Sequence, residues 1–139
     1  MSISPVCVDA SVVVKLVASH EDTVIQDLWE RWSRDGCQIV APALLFYEVP
    51  NAVYHAVKYG TVSEMAAVDA LQAALSLPIQ VHTQPDLHQR ALLIAQRFGL
   101  PATYDAHYLA LAELYGAEMW TADRRLVDRC QQDWVKLIE

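Results

Sequence analysis

Residues 101–123 read PATYDAHYLALAELYGAEMWTAD and carry the pattern that decides the fold. Apolar residues recur at helical spacing from Tyr104 to Leu111, and Gly116 follows as a typical end of a helix. The short apolar run after the glycine predicts a strand, and Asp123 comes directly after that run. This one stretch therefore predicts a helix, a tight turn, a strand and an acid at the end of the strand.

The same alternation of strands and helices extends along the chain. Five short runs rich in apolar residues predict strands at residues 3–9, 37–42, 77–83, 117–122 and 134–138. Seven segments with helical patterns lie between the strands, at residues 11–19, 21–34, 43–60, 61–75, 85–99, 103–115 and 123–132. The first of these segments is predicted as a helix or a turn. Pro50 predicts a kink or a late restart of its helix, and Thr61 or Ser63 is expected to cap the next helix. Because helices separate the strands, we expect crossover connections and a mostly parallel sheet between two helical layers, in a single three-layer α/β/α domain over residues 1–139.

The composition limits the kinds of partner that the chain can bind. A chain of 139 residues, 54% of them hydrophobic, can bury a core without disulfide or metal staples. Its net charge is −7, from ten Lys and Arg residues against seventeen Asp and Glu residues. This balance disfavours a general nucleic-acid coat, which usually has an excess of basic residues. It remains compatible with a local site that meets phosphates through a divalent cation held by acidic side chains.

The cysteines and the apolar segments indicate where the chain resides. The three cysteines, an odd number without a C-x-x-C pair, predict reduced thiols in a cytosolic protein: Cys7, Cys37 and Cys130. No basic region precedes an apolar stretch at the N-terminus, and the apolar region 39–57 is interrupted by Glu48, Pro50, Asn51 and His55. We therefore expect neither a signal peptide nor a membrane anchor, and a cytoplasmic location.

Two acids follow predicted strands. Asp9 comes directly after the first strand, and Asp123 follows the fourth. In open parallel sheets, ligands bind outside the carboxyl ends of the strands, so both residues are candidates for a site. Each residue taken alone is also a good N-cap for the helix that follows it.

Two further acids lie inside helical patterns. Neither Glu48 nor Asp105 has a Lys or Arg three or four residues away, and both have apolar residues at those spacings. An unpaired carboxylate on an inward face is usually neutralised, paired at long range or bound to a metal. For Asp105 the alternative is a first-turn residue stabilised by the helix dipole. Taken together, the four acids predict an oxygen-rich pocket suited to Mg²⁺ or Mn²⁺, which would polarise a phosphodiester and activate water for in-line attack.

These residues resemble the PIN-domain ribonucleases, and more narrowly the VapC-type toxins of bacterial toxin–antitoxin modules. The matching segments are VDASVVVKL, APALLFYEVPNAV and TYDAHYLALAELYGAEMWTAD. The resemblance implies that four acids act in catalysis and bind the metal: Asp9, Glu48, Asp105 and Asp123. It also implies supporting polar residues at Ser11, Asn51 and Thr121.

The resemblance implies a Mg²⁺- or Mn²⁺-dependent endoribonuclease whose products carry a 5′-phosphate and a 3′-hydroxyl. It further implies a homodimer held silent by a VapB-type antitoxin. Many relatives have another acid shortly after the last motif aspartate, where this chain has Arg124 and Arg125, so one or two metals remain possible. These arginines could contact the RNA backbone or simply stabilise the start of a solvated helix.

Two other functions stay open at this point. One is a catalytically weak or inactive PIN-like module that only binds RNA or a partner protein. The other is a Mg²⁺-dependent phosphoryl-transfer or receiver-like domain, which would require an acid pair at the end of the first strand. Such a domain would also require a lysine near the end of a later strand. Only Asp9 follows the first strand, and the nearest lysine, Lys15, lies within the following helix.

Overall fold

The computed structural model describes residues 4–139, so residue 3, where the first predicted strand begins, lies outside the described range. The five strands are β1 (Val6–Val8), β2 (Ile39–Pro42), β3 (Ile79–His82), β4 (Glu118–Thr121) and β5 (Val135–Leu137). They form one sheet in the order β3-β2-β1-β4-β5, and all neighbouring pairs are parallel. The predicted fold class is confirmed.

Seven helices connect or follow the strands in the described part of the chain: α1 (Ala10–Ala18), α2 (Thr23–Arg34), α3 (Leu45–Lys58), α4 (Glu64–Leu75), α5 (Asp86–Phe98), α6 (Tyr104–Tyr115) and α7 (Arg124–Cys130). Helices α1 to α4 pack on one another, and α5 packs on α6, as expected when right-handed crossovers place the two groups on opposite faces of the sheet. Within residues 4–139, no helix is both long and apolar enough to span a bilayer. The three cysteines are free thiols.

The helix that contains Pro50 differs from its prediction. Helix α3 runs without interruption from Leu45 to Lys58, so the late restart was wrong. Proline cannot donate the backbone hydrogen bond to the residue four positions earlier, and that bond is missing. The helix persists because Leu45, Val49 and Val53 are buried on its inner face and hold it across the gap.

The cap of the following helix agrees with one of the two predicted residues. Ser63 caps α4, and its hydroxyl accepts the backbone N–H of Ala66 at 3.1 Å. Thr61 instead donates its hydroxyl to the carbonyl of Ala56 at 3.0 Å. The threonine therefore closes the end of α3, and the serine opens α4.

The strand order brings the ends of β1 and β4 together at the carboxyl edge of the sheet. Val8 pairs with Trp120, and the backbone N–H of Asp9 donates to the carbonyl of Trp120 at 3.3 Å. From β1 the chain moves outward to β2 and β3, then returns to β4 on the other side of β1. This is the switch point at which open α/β sheets bind their ligands.

Candidate active site

Asp9 lies at the switch point with only 6% of its surface exposed. Its Oδ1 accepts the backbone N–H of Val12 at 3.2 Å and the hydroxyl of Ser11 at 2.5 Å, so Asp9 is the N-cap of α1. Burial raises the pKa of this carboxyl from 3.8 to about 6, against the lowering effect of these hydrogen bonds, and the nearby charge of Asp105 raises it further. Asp9 can therefore cap α1 and also belong to a cation site. The cap does not remove the energetic cost of its buried negative charge, which is why its pKa is raised.

Two hydroxyl residues connect the end of β1 to the turn after β4. The Ser11 hydroxyl accepts the backbone N–H of Ala122 at 2.9 Å and lies 3.4 Å from the Thr121 hydroxyl oxygen. Thr121 is fully buried, and its hydroxyl accepts the backbone N–H of Asp123 at 3.0 Å. Ser11 and Thr121 thus fix the position of Asp123 relative to Asp9.

Asp123 caps α7, as the capping alternative predicted. Its Oδ1 accepts the backbone N–H of Arg125 at 3.0 Å, and the Arg125 Nε lies 3.7 Å from the same oxygen. The Arg125 side chain is 90% exposed, whereas Arg124 forms an ion pair with Glu139. The two arginines therefore differ, since only Arg125 borders the acids.

A small cavity of about 200 Å³ lies between Asp123 and the first turn of α6, which carries Asp105. It is lined by Asp105, Asp123, Arg125, Arg129 and three apolar residues, Leu100, Pro101 and Leu126. Sequence reasoning missed Arg129, which lies one helical turn after Arg125 and donates to the carbonyl of Gly99 at 3.0 Å. The spacing of four residues was the available signal.

Glu48 has a partner that is distant in sequence. The hydroxyl of Tyr108 donates to Glu48 Oε1 at 2.6 Å across 60 residues. The Tyr108 residue is fully buried, and burial, followed by its contact with the Glu48 carboxylate, raises the pKa of its hydroxyl well above the usual range. The helical pattern predicts Tyr108 only as a core residue, and the structure adds that it orients Glu48.

Asp105 lies at the electrostatic centre of the four acids. It is half-buried in the first turn of α6, where the helix dipole favours an anion. Partial burial raises the pKa of its carboxyl, and the negative charges of Glu48 and Asp123 raise it further. Since Asp105 also acts on Asp9, the charges of all four predicted acids are coupled through this residue.

The remaining predicted residue, Asn51, lies outside this network of contacts. It is exposed on α3, one turn after Glu48. Its supporting role stays a prediction.

The donor set fits a hard divalent cation by its chemistry. Within residues 4–139, no three His, Cys, Asp or Glu side chains are already arranged as ligands of one metal ion. Mg²⁺ is usually held by only one or two carboxylates, with water and substrate phosphate completing its shell. Four coupled carboxylates, two of them with raised pKa, supply such oxygens and would be relieved of mutual repulsion by a cation.

Replacing Tyr108 with phenylalanine tests the contact that orients Glu48. The variant loses a buried hydrogen bond to a charged group, so we expect the free energy of unfolding of the metal-free protein to fall by about 1–2 kcal/mol. Urea denaturation measures the change. Tyr54→Phe is the matched control, because Tyr54 is exposed on α3. Equal stabilities of the two variants would contradict the contact.

Comparison with known proteins places the chain among proteins of one fold. The protein-family model described as PIN domain matches residues 6–131. Ribonuclease VapC3 of Pyrobaculum aerophilum is 28% identical over 124 residues, which cover 88% of this chain and 92% of that protein.

Solved structures agree with this match. A crystal structure of a Pyrobaculum aerophilum protein superposes with a TM-score of 0.70 at 28% identity, covering 96% of this chain and 83% of that one. A toxin–antitoxin complex from Klebsiella pneumoniae superposes with a TM-score of 0.60 at 20% identity, covering 88% and 89%. At that identity the second likeness concerns the fold alone.

Proposed function

The chain belongs to the PIN-domain family, and from this premise we propose that it is a metal-dependent endoribonuclease acting as the toxin of a toxin–antitoxin pair. One observation carries the proposal: Asp105 lies half-buried among the negative charges of Asp9, Glu48 and Asp123. Within the described residues, Asp9, Glu48 and Asp105 form no ion pair with a basic side chain. Of the four acids, Asp123 alone forms an ion pair in the described residues, with the exposed Arg125. Three carboxylates without a basic partner, near the switch point of the sheet, are suited to a cation.

We assign the cation to the four acids, as Mg²⁺ or Mn²⁺. When bound, such an ion lowers the pKa of water and neutralises charge that develops on the phosphate. The chain itself orients the carboxylates: Val12 and Ser11 hold Asp9, and Tyr108 holds Glu48. The RNA phosphodiester would be cut to leave a 5′-phosphate and a 3′-hydroxyl.

The arginines beside the acids supply the contact to the RNA backbone in this proposal. Arg125 is exposed and borders the cavity that contains Asp105 and Asp123. It can therefore reach a phosphate next to the scissile bond. The ion pair of Arg124 with Glu139 assigns that residue instead to the solvated start of α7.

The proposed partners are RNA, a second copy of the chain and a VapB-type antitoxin, all in the cytoplasm. The likeness in sequence to a protein named a ribonuclease supports the substrate class. The likeness in fold to a chain of a toxin–antitoxin complex is consistent with an antitoxin partner. The acidic site itself provides a surface that such a partner would cover to silence cleavage.

The experiment that tests the function is direct. The protein, purified free of any partner, is incubated with structured RNA in EDTA, in Mg²⁺ and in Mn²⁺. We expect cleavage with either cation and none in EDTA. Cleavage that persists in EDTA would overturn the role of the metal. RNA that is bound but uncut with every cation would favour the non-catalytic binding module.

A further inference from the structure

A second cavity, of about 370 Å³, lies beside the first turn of α6, the turn that carries Asp105. It lies at the carboxyl ends of β2 and β3, and its walls include Tyr47 and Tyr104. Each of these tyrosines directly precedes an acid of the site, Glu48 and Asp105 respectively. The cavity therefore lies beside the helix turns that carry two of the four acids, and it has the size of a small-ligand pocket.

The lining of the cavity is largely aromatic and apolar, and it includes three histidines: His82, His88 and His107. No Lys, Arg, Asp or Glu is among its lining residues. Tyr47 is 77% exposed and Tyr104 is 61% exposed, so their rings are available to a ligand. Pro42, Leu44 and Leu87 supply apolar surface. This aromatic and apolar surface suits the face of a flat ring.

Two polar residues of the same wall have unused hydrogen-bonding atoms. Gln84 donates its Nε2 to the Tyr115 hydroxyl at 3.0 Å, and that hydroxyl lies 3.2 Å from His82 Nδ1. The Tyr115 hydroxyl thus lies between Gln84 and His82, and which of the hydroxyl and Nδ1 donates follows from the imidazole tautomer. Within the described residues, His82 Nε2 and Gln84 Oε1 are buried without a partner. The wall thus contains two polar atoms whose hydrogen-bonding capacity is unused.

We propose that this cavity binds one unpaired nucleobase of the RNA, next to the phosphate that is cut. A base has a flat π-face for the exposed tyrosines and an edge with donors and acceptors for His82 and Gln84. Arg125 and Arg129 lie with Asp105 in the other cavity, where the charged backbone belongs. The inference rests on the proposed function, because it assigns the base and the phosphate to two separate cavities beside the first turn of α6.

Nucleoside binding tests the pocket without requiring cleavage. The metal-free protein is titrated with adenosine, guanosine, cytidine and uridine, and separately with inorganic phosphate, and backbone amide shifts are followed by NMR. We expect saturable shifts at residues 82–84 and at Tyr104 with at least one nucleoside, and none there with phosphate. Tyr104→Ala should weaken that nucleoside about tenfold through lost stacking. Tyr59→Ala, which removes another exposed ring at the C-terminal end of α3, should leave the affinity unchanged.

The outcomes separate this inference from the proposed function. Absence of shifts at these residues up to the solubility limit of every nucleoside would overturn the pocket, even if the protein cleaves RNA. An affinity that Tyr104→Ala leaves unchanged would overturn it as well. Nucleoside binding in a protein that cuts no RNA with any cation would retain the pocket and reject the ribonuclease.

Discussion

Replacing Asp105 with asparagine is expected to lower the rate of metal-dependent RNA cleavage by about 10²–10³-fold. Asparagine has nearly the same shape but no charge, and Asp105 is the residue whose charge is coupled to the three other acids. Single-turnover cleavage of one structured RNA in Mn²⁺ measures the loss. Circular dichroism establishes that the variant keeps its fold.

Asp69→Asn is the matched control for this substitution. Asp69 is exposed on α4, in the opposite helical layer, and the change in net charge is the same. We expect wild-type cleavage from the control. If Asp105→Asn cut RNA at the same rate as the control, the assignment of Asp105 to the site would be wrong.

Replacing Asp9 with asparagine is expected to stabilise the metal-free protein at pH 7. The native pKa of Asp9 is raised from 3.8 to about 6, so the native state binds this proton more tightly than the unfolded state. The free energy of unfolding therefore falls as pH rises from about 4 to about 6. Above that range the ionised carboxylate lowers it by about 3 kcal/mol, which is 1.36 kcal/mol for each pH unit between the two pKa values. Asparagine keeps an oxygen that can accept from Val12 and Ser11 but carries no charge.

The measurement is the difference in unfolding free energy between variant and wild type, taken by urea denaturation from pH 4 to pH 7.5. We expect the two proteins to have nearly equal stability at pH 4. At pH 7.5 we expect the variant to be more stable by about 2–3 kcal/mol. Asp22 provides a control, because its pKa is shifted in the opposite direction from that of Asp9. Asp22 caps α2, and the neighbouring Lys15 lowers the pKa of its carboxyl, so Asp22→Asn should lose stability at neutral pH. A loss at Asp9 that does not vary with pH would mean that capping geometry outweighs the buried charge.

The fold was predictable from the sequence because its determinants are local. The apolar runs that form β1 and β4 are short and bounded by polar or turn residues, and Gly116 ends α6 with a φ of 61°. Asp9 and Asp123 follow their strands directly, so their position at the carboxyl edge required only the parallel sheet. The late restart predicted at Pro50 was wrong because burial of the helix face, a tertiary effect, outweighed the local tendency of proline to break the helix.

The contacts inside the site were much less predictable. Glu48 is paired with Tyr108 across 60 residues, a contact that depends on how α3 and α6 pack. The link from Ser11 to Ala122 spans 111 residues and depends on β1 and β4 being neighbours. Sequence periodicity identifies which face of a helix is buried but not which side chain on another element it meets.

Mn²⁺ binding tests the central claim, that the four acids form one cation site, most directly. Isothermal titration calorimetry at pH 7 compares the partner-free wild type with Asp105→Asn and Asp69→Asn. We predict saturable binding by the wild type and by Asp69→Asn, and an affinity at least about tenfold weaker in Asp105→Asn, because one carboxylate ligand charge is lost. Equal Mn²⁺ affinities in all three proteins, or no binding by the wild type, would contradict the claim.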